Sequence, residues 1–318
     1  TTTYTVTGTA AGCNNSADVT VTVNPTPTIS VDPAAIAFCE GQSTTLTASG
    51  ADTYTWAPAT GLSAASGASV TANPTSSNTY TITGTTNAGC SNTTTSTVTV
   101  NPNPVVDFVA DETADCEVFC VNFNNQSSIS SGSIASYSWD FGDSNNSSQQ
   151  SPTNCYDTPG TYTVELTAFS DNQCVTKETK ADYITVYPLP VADFSVDPET
   201  QSVLFPKFQF TDESTGASEW NWYFGDGGTD GPLVTTPAYT YPNANPGTYT
   251  VTLIVSTQFG CTDTTTHDVL ITPQISLWVP NAITANNNRK NDVFYAYGEG
   301  IIDFQMRVYT RWGEQIFE

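Results

Sequence analysis

The sequence predicts an all-β protein made of small β-sandwiches laid end to end in an elongated array, and three observations predict it. Thr, Ser, Asn and Val dominate, while long stretches of Leu, Glu, Lys and Ala are missing, so strand propensity outweighs helix propensity. Short runs of alternating polar and apolar residues recur between Gly, Pro and Asn turns. Whole blocks return at a domain's spacing: Ser138-Trp139-Asp140-Phe141-Gly142-Asp143 comes back as Asn221-Trp222-Tyr223-Phe224-Gly225-Asp226, and Pro159-Gly160-Thr161-Tyr162-Thr163-Val164 as Pro246-Gly247-Thr248-Tyr249-Thr250-Val251.

In each copy the aromatic run (Tyr137, Trp139, Phe141; then Trp220, Trp222, Phe224) puts large apolar rings on one strand face and ends at a Gly-Asp turn. After a polar loop, Gly-Thr-Tyr-Thr-Val opens a second strand of period 2, whose Tyr, Val and Leu share the face that can close on those rings. Val121 and Phe123 point inward on an earlier strand of the first copy. These motifs resemble the PKD domain, a small immunoglobulin-like β-sandwich whose hallmark is Trp-Asp-Phe-Gly-Asp-Gly followed by Gly-Thr-Tyr-Thr-Val. Ser144 replaces the final Gly in the first copy and Tyr223 the first Asp in the second. The resemblance implies PKD-like domains at 103–187 and 188–273.

Upstream, residues 3 to 25 recur as 79 to 102, with Tyr4 matching Tyr80 and Cys13 matching Cys90 after a one-residue insertion. Residues 1–24 therefore read as the last two strands of a sandwich, and a complete repeat occupies 25–102. Two strands cannot make a sandwich, so the chain reads as part of a longer array. Leu46, Tyr54, Trp56, Tyr80, Ile82, Val98 and Val100 form the expected core of the complete repeat. It resembles the Ig-like repeats of large Bacteroidetes surface proteins. Val23-Asn24-Pro25-Thr26-Pro27, Val100-Asn101-Pro102-Asn103-Pro104 and Val186-Tyr187-Pro188-Leu189-Pro190 mark the junctions. Their alternating prolines favour short, semi-rigid linkers.

The segment 274–318 holds Trp278-Val279-Pro280-Asn281-Ala282, Asn291-Asp292-Val293-Phe294 and Arg311-Trp312-Gly313. It resembles the N-terminal part of the gliding-motility-associated, type B C-terminal sorting domain of type IX secretion. That resemblance implies recognition of Pro280, Asn281, Asn291, Asp292, Arg311, Trp312 and Gly313 by the secretion machinery or by an outer-membrane anchoring barrel. Ile283, Ala285, Asn288 and Arg289 depart from the family pattern.

The formal charge of −24, from seven Lys and Arg against 31 Asp and Glu, repels phosphate and argues against nucleic acid as a partner. No apolar run reaches the roughly 20 residues a spanning helix needs. Thr1-Thr2-Thr3-Tyr4 reads as a strand and not as a signal peptide, so further chain is expected before it. Eight cysteines suggest disulfides and an oxidising compartment. The expected pairs are Cys39 with Cys90, Cys116 with Cys174 and Cys120 with Cys155, with the partner of Cys13 in a missing half-module and Cys261 buried or free. Asp140, Asp143 and Asp226 invite a Ca2+ site, since hard cations take carboxylate oxygens, but Asp beside Gly more often caps its own turn. A single His and no converging acid pair leave no catalytic constellation.

The sequence thus reads as a non-catalytic stalk and secretion-targeting region of a large extracellular adhesin on the cell surface, its ligand held by upstream domains. The alternatives are the stalk of a secreted polysaccharidase or protease with its catalytic domain upstream, and a filament-forming surface protein.

Overall fold

The computed structural model describes residues 1–242, 244–274, 276–279, 297–299 and 305–317, and no helix occurs among them. The chain divides into two compact units: Thr1–Thr113, Cys120–Asn154 and Tyr162–Ile184 form one, and Ala114–Phe119, Cys155–Thr161 and Thr185–Glu318 the other.

The chain opens with the hairpin β1 (Thr2–Ala10) and β2 (Cys13–Val21), paired from Thr2↔Val21 to Ala10↔Cys13. Next come β3 (Ser30–Asp32), β4 (Ala35–Cys39), β5 (Thr44–Ser49), β6 (Thr53–Ala57), β7 (Ser69–Ala72), β8 (Asn78–Thr85) and β9 (Ser91–Asn101). They form two sheets, β3-β5-β7 and β4-β9-β8-β6. The alternation read from sequence is the burial pattern observed: Leu46, Tyr54, Trp56, Tyr80, Ile82 and Val98 are buried together, with Val100 partly buried against them. The indole N–H of Trp56 donates to the Gly67 carbonyl at 2.9 Å, so the ring is buried without orphaning its polar atom.

The two PKD-like repeats share one topology. In the first, β10 (Phe108–Ala110), β12 (Phe119–Asn125) and β15 (Thr153–Tyr156) form one sheet, in the order β10-β12-β15. The other sheet is β11-β17-β16-β13-β14, from β11 (Ala114–Cys116), β13 (Ile134–Asp140), β14 (Asn146–Ser147), β16 (Gly160–Ser170) and β17 (Val175–Tyr187). The second repeat supplies β18 (Phe194–Asp197), β19 (Thr200–Ser202), β20 (Lys207–Asp212), β21 (Glu219–Tyr223), β22 (Thr229–Asp230), β23 (Ala238–Thr240), β24 (Gly247–Ser256) and β25 (Thr262–Thr272). Its sheets are β18-β20-β23 and β19-β25-β24-β21-β22.

The aromatic cores repeat almost ring for ring. Trp139 meets Phe108 edge-on at 5.1 Å and Phe123 at 5.6 Å, while Trp222 meets Phe194 edge-on at 5.1 Å and Phe210 at 5.8 Å. Each indole again donates to a backbone carbonyl, Trp139 to Gln149 at 2.9 Å and Trp222 to Val234 at 2.8 Å. These edge-to-face pairs add roughly 0.5–1.5 kcal/mol each beyond the area they bury.

The glycine of the Phe-Gly-Asp turn is required by both space and backbone. Gly142 and Gly225 have φ of +78° and +82°, and a Cβ on either would lie 2.6 Å from the carbonyl oxygen of Thr163 or Thr250. Gly227 has a similarly positive φ, but no atom lies within 4 Å of its would-be Cβ. Gly225→Ala should therefore cost about 2 kcal/mol or more, and Gly227→Ala about 1 kcal/mol, in chemical denaturation of the intact protein. Equal losses for the two would show that the backbone contact is not what fixes the turn.

Candidate functional site

The positions that the fold brings together are cysteines at the ends of successive modules. In each sandwich a short early strand lies parallel to the last strand: β4 beside β9, β11 beside β17 and β19 beside β25. This places Cys39 opposite Asn101, Cys116 opposite Tyr187 and Ser202 opposite Thr272, where the last strand ends. The next backbone amide closes the edge each time: Glu40 donates to Asn101 O at 2.8 Å, Glu117 to Tyr187 O at 3.0 Å and Val203 to Thr272 O at 3.1 Å.

A second set of cysteines occupies the turns that precede those last strands. Cys90, Cys174 and Cys261 share one turn geometry, in which the residue four before the cysteine donates to its carbonyl: Thr86 at 2.9 Å, Ser170 at 2.9 Å and Thr257 at 2.8 Å. The same residue's hydroxyl accepts the cysteine N–H, at 3.2, 3.0 and 3.2 Å respectively.

Two disulfides join these sets across modules. Cys39 bonds Cys174 and Cys116 bonds Cys261, each with Cα atoms 5.6 Å apart. Asn103 Nδ2 donates to the Glu40 carbonyl at 3.1 Å, beside the first bridge. Tyr187 and Phe259, each near a bridged cysteine, stack at 3.9 Å with their planes 6° apart.

The expected Cys39–Cys90 and Cys116–Cys174 pairs are thereby corrected, and Cys261 is bonded instead of free. The reason is strand length. Cys90 lies just before the start of β9 and Cys39 pairs with its last residue, 11 residues on, or roughly 35 Å at strand rise. Cys174 and Cys116 are held apart in the same way by the 13 residues of β17. A disulfide needs Cα atoms within about 7 Å, so neither pair can form inside one sandwich. Cys120 and Cys155 are also disulfide-bonded, whereas Cys13 and Cys90 are free thiols in this chain.

The carboxylates of the Gly-Asp turns are engaged by the protein. Asp140 Oδ1 accepts the Gly142 N–H at 2.9 Å. Asp143 accepts from the Asn145 backbone and side chain, both at 2.9 Å, and from Asn154 Nδ2 at 2.7 Å. Asp226 Oδ1 accepts the Gly228 N–H at 2.9 Å, and both its oxygens accept the Tyr239 hydroxyl at 3.0–3.1 Å. Among the described residues no three His, Cys, Asp or Glu side chains are grouped as metal ligands.

Burial, and then the hydrogen bond to the Asp226 carboxylate and its charge, push the Tyr239 hydroxyl up to about 12. Tyr241, which donates to the Phe224 carbonyl at 2.8 Å, is also raised, chiefly by burial.

Pro280, Asn281, Asn291 and Asp292 lie outside the described residues. Arg311, Trp312 and Gly313 form the turn between β28 (Val308–Tyr309) and β29 (Gln315–Phe317), which follow β26 (Ser276–Trp278) and β27 (Tyr297–Glu299). The Arg311 guanidinium sits 4.6 Å from the Trp312 ring centroid, and that ring is 82% exposed.

The chain is therefore a tandem β-sandwich protein with covalent links between modules. The sequence profile of the PKD domain matches residues 101–186 and 188–272, more than half the chain, and the chain belongs to the PKD-domain family. It is similar to the PKD1 domain of Vibrio anguillarum Epp, at 31% identity over 27% of this chain and 99% of that one, with a TM-score of 0.24. It is also similar to the eight N-terminal Ig domains of Down Syndrome Cell Adhesion Molecule, at 12% identity over 86% of this chain and 40% of that one, with a TM-score of 0.50. The latter likeness is one of fold.

Mass-spectrometric mapping of a non-reducing digest should return the Cys39–Cys174 and Cys116–Cys261 cross-links. Recovery of Cys39–Cys90 would contradict the strand-length constraint. A second expectation concerns alkaline pH. An ordinary tyrosine ionises near 10, so above that pH the unfolded chain releases a proton that folded Tyr239 keeps until about 12. The stability linked to Tyr239 is thus whole below pH 10 and drains as the pH climbs to 12. Tyr239→Phe should flatten the fall in denaturation midpoint between pH 10 and 12, followed alongside phenolate absorbance.

Proposed function

We propose that this region is a non-catalytic stalk of an extracellular surface protein, with the segment from 274 onward serving as its export tag. The observation that carries the stalk reading is the covalent linkage of consecutive PKD-family and Ig-like modules by Cys39–Cys174 and Cys116–Cys261. A linker between sandwiches transmits force only through its backbone, whereas a bridge across the junction adds a second covalent path and limits bending. Disulfides also fit an oxidising, extracellular setting. The stalk would project an adhesive region carried upstream, and the acidic surface would keep a long array soluble and self-repelling.

Export through type IX secretion, retention at the outer membrane and a link to gliding rest on the resemblance of Pro280, Asn281, Asn291, Asp292 and Arg311-Trp312-Gly313 to the sorting-domain pattern. The exposed Trp312, backed by Arg311, is available for recognition. Asp140, Asp143 and Asp226 serve in this reading as turn caps and not as Ca2+ ligands. Millimolar Ca2+ should then leave the melting temperature unchanged, and a rise of several degrees would restore the metal reading.

Deleting residues from 274 onward should leave the protein inside the cell envelope, while deleting 188–273 alone should still allow surface display of a shorter product. Normal display after the first deletion would overturn the sorting role. Display in both cases with lost adhesion only after shortening would support a spacer without an export tag at this end.

A further inference from the structure

The bridges follow a rule: a cysteine at the end of one module's short parallel strand bonds the turn cysteine of the following module. Cys90 is a turn cysteine, and the module before it is the one to which β1 and β2 belong. We propose that Cys90 is half of a further module-to-module disulfide, and that its partner is a cysteine carried before Thr1 on a short strand lying parallel to the 19–24 run.

Three observations converge on that partner. The turn around Cys90 carries the same hydrogen bonds as the turns of Cys174 and Cys261, both of which are bridged. The Cys90 sulfur also sits where a bridged sulfur sits. Cys174 Sγ lies 3.9 Å from the carbonyl of Asn101, the residue opposite its partner Cys39, and Cys90 Sγ lies 3.7 Å from the carbonyl of Asn24. Asn24 and Asn101 occupy the same place in the repeated Val-Thr-Val-Asn-Pro sequence, so the missing cysteine belongs opposite Asn24.

The third observation is the uncovered face of the first hairpin. Tyr4, Val6 and Val21 are 56%, 63% and 47% exposed, whereas their repeat counterparts Tyr80, Ile82 and Val98 are fully buried. In the complete repeat that face is covered by the sheet β3-β5-β7, and β4, which carries Cys39, lies on the edge of β9. The occupant of the open face is therefore the first part of the same kind of repeat, bearing its own cysteine at the Cys39 position. Cys13 cannot substitute for it, because it begins β2 and lies 11 residues from Asn24, again roughly 35 Å along the strand.

The bond forms by thiol–disulfide exchange. The Cys90 thiol loses its proton and its sulfur attacks a disulfide-bearing oxidant of the oxidising compartment, R–S–S–R, giving a mixed disulfide and R–SH. The upstream thiol then loses its proton and attacks the Cys90 sulfur, forming the protein S–S bond and expelling the second R–SH, so that two protons and two electrons pass from the two thiols to the oxidant. In the second PKD module Ser202 holds the position of Cys39 and Cys116, so the short parallel strand of that module offers no thiol for a bridge of this kind.

The test extends the 318-residue chain in the N-terminal direction by its natural coding sequence for one module. The product is expressed into an oxidising compartment, alkylated with iodoacetamide under denaturing conditions without reduction, digested and mapped. The expected result is a cross-link between Cys90 and a cysteine preceding Thr1 that aligns with Cys39, with alkylation of Cys90 falling at least tenfold relative to the 318-residue chain. Alkylated Cys90, or Cys90 bonded to Cys13, overturns the proposal. Cys90→Ser in the extended protein provides the second arm: the upstream cysteine should become alkylated while Cys39–Cys174 and Cys116–Cys261 persist. An upstream cysteine that stays unreactive in that variant has another partner, and the proposal falls.

Discussion

The length of the last strand in each sandwich governs the covalent design of this protein. A short early strand pairs in parallel with that last strand and sets its cysteine where the strand ends, while the other cysteine waits in the turn before the strand begins. Eleven to thirteen residues of extended chain hold the two apart, far beyond disulfide reach. The strand-end cysteines Cys39 and Cys116 instead bond the turn cysteines of the module that follows. The strand that closes the core therefore also forces the bridges outward, and folding of one module presents the thiols that tie it to the next.

The cores themselves are conventional in chemistry and repetitive in execution. Trp56, Trp139 and Trp222 each satisfy the indole N–H on a carbonyl contributed by the following loop, so the loop is anchored by the core it covers, and Trp139 and Trp222 pack among aromatic neighbours. The Gly-Asp turn beside Trp139 and Trp222 is held by Gly142 or Gly225 in a conformation open to glycine, with Asp143 or Asp226 capping the amide two residues on. Ion pairing adds little: Lys177–Glu165 and Lys180–Asp107 lie at the surface, where water and salt screen such pairs.

Much of the fold was legible because period-2 patterning reports directly on burial. Leu46, Trp56, Tyr80, Trp139 and Trp222 could be placed in cores from alternation alone, and the duplicated Phe-Gly-Asp and Gly-Thr-Tyr-Thr-Val blocks announced two copies of one sandwich. Disulfide connectivity was not legible from spacing, since Cys39 and Cys90 bracket one repeat and invite pairing within it. What separates them is the parallel register Cys39↔Asn101, a long-range pairing that local pattern does not encode. A usable signal was present in the position of each cysteine relative to its last strand: Cys90, Cys174 and Cys261 precede it, and Cys39 and Cys116 belong to the strand that borders its end. The fate of Cys261, unpartnered within its own module, pointed the same way.

The bridges reroute the covalent path through the array. Between residues 25 and 273 the oxidised chain is traversed through 25–39, then from 174 back to 116, a stretch that also carries the bonded Cys155 and Cys120, then 261–273, so most of the intervening residues are bypassed. The most direct measurement is single-molecule extension of the protein held at residues 25 and 273, before and after reduction of its disulfides. Bridging across modules predicts an oxidised molecule that lengthens to less than half the fully extended length of the reduced one. Separate loss of three sandwiches, each releasing its length apart from the segment closed by a bridge of its own, would contradict it.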